Sequence, residues 1–124
     1  MSTVFPQANY QTTVTALANT NKTTVFSVNA AEESVSVTSI SINDATGSAA
    51  AGPVIVYITL GTGITERVFL YRATDLEADW PLEIIGRPIH LKAGGTIAVT
   101  ADNNVNVWVS WIINNATGAD AQRR

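Results

Sequence analysis

The stretch that decides the fold is Ser34 to Ile42, "SVSVTSISI". Its apolar residues alternate strictly, as in a strand with one face buried. Val35 and Val37 share one parity, however, and Ile40 and Ile42 take the other. A parity switch inside one strand predicts a β-bulge, or a strand that bends from one sheet into another. Either device belongs to a layered β-protein.

The rest of the chain agrees. Lys22 to Val28, "KTTVFSV", is a short β-prone run. Pro53 to Leu60, "PVIVYITL", is apolar on both faces and reads as a central strand. "GTG" then turns the chain into Ile64–Arg72, "ITERVFLYR", the clearest hairpin of the sequence. In that strand Ile64, Val68 and Leu70 are expected to point inward, with Arg67, Phe69 and Tyr71 on the other face. "LEII" and "PIHL" are short strands separated by Gly86, and "TIAVTA" follows the "KAGG" turn. In "VNVWVSWII", Val105, Val107, Val109, Trp111 and Ile113 share one face, which sends Trp108 outward between Asn106 and Ser110. No stretch holds a helical period beyond a turn or two. About eight short strands at intervals of about 8–12 residues predict one all-β domain, an antiparallel, jelly-roll-like sandwich over 1–124. Residues 1–12 read as an extended N-terminal arm and 114–124 as a flexible polar tail ending in Arg123-Arg124.

Composition narrows the function. A chain of 124 residues forms one core. It has no cysteine, so thiolate chemistry is removed. The net charge of −3 argues against nucleic acid, whose binders cluster Lys and Arg. No apolar run approaches the ~18 residues of a membrane span. Charged residues make up 14% of the chain, against about 25% in ordinary domains. Either the surface is simply neutral and rich in Thr, Asn and Ser, or neighbours in an assembly cover much of it.

Candidate chemistry is sparse. "RPIHLKAGGTIAVT", residues 87–100, holds the single histidine beside a glycine pair. A lone His90 lacks the partners for acyl transfer and the further ligands that a cupin-type metal site requires. It alternates with Ile89 and Leu91 and so points away from the core. "AGG" lacks the spacing of a phosphate loop, and Gly94 and Gly95 are expected to allow positive φ in a turn. The stretch reads as a corner. Asp75, Glu77 and Asp79 in "TDLEADW" are spaced like half a calcium loop. The glycine and terminal Glu of such a loop are missing, so a solvated acidic loop is expected. No catalytic residue, cofactor or metal is assigned.

The aromatic residues remain. Trp108 and Trp80 suit either a sugar-stacking platform or an interface, with Trp80 also able to cover part of the fold.

Two segments resemble a known group. "NKTTVFSVNAAEESVSVTSISINDATG" and "PIHLKAGGTIAVTADNNVNVWVSW" are similar to the pattern of small phage virion proteins that decorate heads or line tails. The resemblance covers about 90 residues. It implies a non-enzymatic structural role in the virion: a β-sandwich that forms a homo-oligomer and docks on a major capsid or tail protein. Expected interface contacts are Phe5 and Tyr10 of the arm, Phe69, Tyr71, Trp80 and Trp108. The alternative is an adhesin-like module binding a host-surface glycan through Trp80, Trp108 and the acidic loop.

Overall fold

The computed structural model describes residues 10–17, 19–29, 34–45, 53–74, 76, 81–84, 86–101 and 104–114. Among these residues nine strands follow in chain order: β1 (Tyr10–Leu17), β2 (Thr23–Ser27), β3 (Ser34–Asp44), β4 (Val54–Thr59), β5 (Arg67–Arg72), β6 (Leu82–Glu83), β7 (Ile89–Lys92), β8 (Thr96–Thr100) and β9 (Val105–Asn114). They form two antiparallel sheets. One runs β1-β9-β3, with β6 and β7 both paired to the far side of β3; the other runs β2-β8-β4-β5. With β6 and β7 taken as one interrupted strand, this is the connectivity of an eight-stranded jelly roll.

The core lies between the sheets. Val35, Val37, Ile40, Ile42, Val105, Val107 and Val109 meet Val54, Val56, Ile97 and Val99, all buried. Each such side chain contributes about 1.5–3 kcal/mol relative to exposure. Trp111 closes one end, its ring 4.6 Å from that of Phe26.

The parity switch of the opening stretch is a bulge. Val37 pairs with Trp111 and Ser39 with Ser110, which leaves Thr38 as the extra residue. Its hydroxyl donates to the Ser110 carbonyl at 3.2 Å. Both halves of β3 thereby keep their apolar side chains in the core.

Sequence expectations are corrected in β1 and β5. β1 begins at Tyr10, so the last three residues of the expected arm are strand, paired with β9 from Tyr10–Ile112 to Leu17–Val105. Val68 is 58% exposed, not inward, and Ile64 is exposed too. Ile64 lies in the loop before β5, and for Val68 the reason is a bulge: Val56 pairs with Leu70 but Tyr57 with Val68, leaving Phe69 extra. The extra residue turns Val68 to the outside with Tyr57 and puts Arg67 on the side of Ile58.

The glycine-rich corner clamps the two sheets together. Gly95 N–H donates to the Lys92 carbonyl (2.8 Å), closing a turn in which Gly94 has φ +85°. Thr62 N–H of the β4–β5 loop donates to Ala93, and Lys92 N–H to Leu60. Val28 N–H donates to the carbonyl of Gly95. A Cβ on Gly94 would lie 1.9 Å from Thr62 Oγ1, so this position is closed to a side chain on two counts. Gly95 is not at positive φ. Its constraint is close packing, with Leu91 Cβ and two carbonyls 3.0 Å from where a Cβ would stand.

Candidate interaction surfaces

Two exposed surfaces and one polar cluster concentrate the chemistry of the described residues.

The first surface surrounds β5, the last strand of its sheet. Tyr71 is 63% exposed, and Val68, Phe69, Leu60 and Ile64 are exposed beside it. Leu60, Val68 and Phe69 join Ile58, Arg67 and Ile89 around a cleft of about 220 Å³ at this side of the sandwich. Ile89 comes from the opposite sheet, so the cleft lies where the two layers part. The centre of the same outer face is protected differently. Lys22 Nζ sits 4.3 Å over the Tyr57 ring and also pairs with Glu66. The apolar surface is therefore concentrated at the edge.

The second surface is the outer face of the β1-β9-β3-β6 sheet. Cross-strand register sets Val14 beside Trp108, Trp108 beside Ser41, and Ser41 beside Glu83. Trp108 is 42% exposed, and its indole N–H donates to Asn43 Oδ1 at 2.8 Å. Ser41 Oγ donates to Glu83 Oε2 at 3.0 Å, and Thr12 and Ser110 hydroxyls bond each other at 2.9 Å. Hydroxyls and amides here hold one another in place around a single tryptophan.

The polar cluster is Ser36, His90 and Asn114, on neighbouring strands β3, β7 and β9. Asn114 Nδ2 donates to Ser36 Oγ at 2.8 Å, and the same oxygen lies 2.8 Å from His90 Nδ1. The Ser36 hydroxyl donates to Nδ1 or accepts from it according to the imidazole tautomer. A serine–imidazole pair has the parts of a nucleophile and base. Here the serine residue is only 9% exposed, and its hydroxyl is occupied in both bonds. The arrangement ties three strands together, and His90 itself is exposed on the outer side of the sheet.

The sequence-predicted residues divide accordingly. Phe69, Tyr71 and Trp108 are exposed, but on different sheets, so they do not form one surface. Phe5, Trp80, the side chain of Tyr10, the acidic positions Asp75, Glu77 and Asp79, and the tail beyond Asn114 lie outside the described residues. Among the described residues no three His, Asp or Glu side chains gather as metal ligands. Sequence reasoning missed Leu60, Val14 and the Ser36–Asn114 bond. Leu60 and Val14 carry no signal, because an isolated apolar residue beside a turn or on a polar strand reads the same buried or exposed. Ser36 and Asn114 are far apart in sequence and meet only through strand pairing.

No family model matches the chain, and neither a curated protein nor a solved structure was found to be similar to it.

Proposed function

We propose that the chain is a non-enzymatic structural subunit of a virion, a decoration or accessory protein that self-associates and docks on a phage capsid or tail lattice. The observation that carries this reading is the apolar surface at β5. Val68, Phe69 and Tyr71 are exposed on β5 and Leu60 and Ile64 in the loop that leads into it, and Leu60, Val68 and Phe69 line the cleft. An apolar concentration of this kind marks a surface made to be covered. β5 also has no strand on its outer side among the described residues, and such an edge invites a neighbour. The low charged fraction, 14%, fits a chain whose exterior is shared with other subunits.

The reading is tested by light scattering of the purified protein and by co-sedimentation with capsids or tails of the phage that encodes it. The expected outcome is self-association together with particle binding, and loss of both in Val68→Asp with the fold intact by circular dichroism. A chain that stays monomeric and sediments with neither particle refutes it.

A further inference from the structure

We propose that the outer face of the β1-β9-β3-β6 sheet is a stacking platform for a neutral sugar ring, centred on Trp108. This goes beyond the structural role, since it uses the sheet opposite the β5 surface.

Trp108 is held, not merely exposed. Its only polar atom is already bonded to Asn43, which fixes the ring and leaves its carbon surface as what it offers to solvent. Val14, 48% exposed, extends that apolar strip on one side. Ser41 and Glu83 continue the same row on the other. At about 4.8 Å per strand, the row Val14–Trp108–Ser41–Glu83 spans about 14 Å, enough for a sugar ring and part of the next. Along β9 the tryptophan is flanked by Asn106 and Ser110.

A pyranose matches this layout. It has one face of C–H groups for the indole and a rim of hydroxyls for Ser41, Glu83 and the neighbouring amides. A protein partner fits less well. Stable protein interfaces need on the order of 800 Å² per side around a buried anchor cluster, and among the described residues of this face the exposed large apolar side chains are Val14 and Trp108. The charged group in the row is the Glu83 carboxylate, while His90 and Lys92 pair with the other half of β3, at Ser36 and Ser34. Ser36 is five residues from Ser41, roughly 16 Å along the strand. The platform therefore favours neutral sugars over sialylated or uronic ones.

The test is calorimetric titration of the full chain with neutral galactose-, glucose- and N-acetylglucosamine-terminated oligosaccharides and with sialylated counterparts. Binding of at least one neutral series is expected, weakened at least tenfold in Trp108→Ala and largely restored in Trp108→Phe. Glu83→Gln is expected to narrow the preference over the sialylated series. Absence of binding up to about 10 mM, equal binding by Trp108→Ala, or preference for the acidic series overturns the proposal. So does loss of particle docking in Trp108→Ala without any glycan binding, which would make Trp108 a protein anchor and leave the structural reading standing. Failure of that reading is seen separately, in the light scattering and co-sedimentation of the unmodified chain.

Discussion

Thr38 and Phe69 are each the extra residue of a β-bulge, one in β3 and one in β5. Their positions give the same device opposite consequences. β3 is paired with β9 along its length and, on its other side, with β7 at 34–37 and β6 at 41–42, and its apolar residues before and after the bulge are buried. There the bulge absorbs the extra residue, so that Val35, Val37, Ile40 and Ile42 all reach one core. β5 has a partner on one side only among the described residues. There the extra residue sends a valine to solvent and bends the edge. In β3 the bulge keeps the core residues in phase; in β5 it shapes a surface.

The contrast breaks most strongly where a deletion falls outside a bulge. Removing Ser41 makes Ile40 and Ile42 adjacent, so one of them must face solvent. Loss of cooperative unfolding, followed by circular dichroism on heating, is the expected outcome. Removing Thr38 joins Val37 and Ser39 to their consecutive partners Trp111 and Ser110 and leaves the core of β3 in one regular alternation; removing Phe69 does the same for Val68 and Leu70 on β4. Both bulge deletions are expected to fold and to lose no more than about 1 kcal/mol. A Thr38 deletion that abolishes cooperative unfolding would mean that the bulge does more than absorb an extra residue.

Next in size is Ile40→Ala, in the half of β3 whose phase depends on the bulge. Truncation of a fully buried isoleucine is expected to cost about 2–5 kcal/mol in urea unfolding, with an unchanged slope. Thr38→Val keeps the bulge but removes the hydroxyl bonded to Ser110, an expected loss of about 1 kcal/mol by the same measurement. The smallest effect belongs to the edge. Val68→Ala should stay within about 0.5 kcal/mol of the parent in stability. It should nevertheless weaken self-association in light scattering, because the lost methyl groups belong to the exposed surface. A stability loss near that of Ile40→Ala would mean that Val68 is covered after all.

The contrast also explains how much could be read beforehand. The β3 bulge is visible because serines and threonines punctuate its apolar residues, so a change of parity leaves a mark. β5 reads "RVFLYR", with apolar side chains at four consecutive positions, and no parity can be assigned. Strict alternation was the default, and the bulge at Phe69 defeats it. β1 escaped for a different reason. In "YQTTVTAL" the positions facing β9's core residues are Thr13, Thr15 and Leu17, too polar for a buried pattern. Pairing along all of β9 makes it a strand. The corner at Lys92–Gly95 was legible from its glycines, although only Gly94 takes positive φ. The outward Trp108 was legible from the valine row of β9. That Asn43 fixes its ring was not, because the two residues are 65 positions apart.

Sequence alone determined the all-β class, the core residues of β3 and β9, and the exclusion of thiol chemistry, since periodicity and residue type are local properties of the chain. Only the tertiary structure decided that Tyr10–Leu17 is a strand, that Val68 faces solvent, and that Phe69 and Trp108 stand on opposite sheets. Those outcomes rest on which strands lie side by side and in what register. Pairing between distant segments fixes both, and no local pattern encodes it.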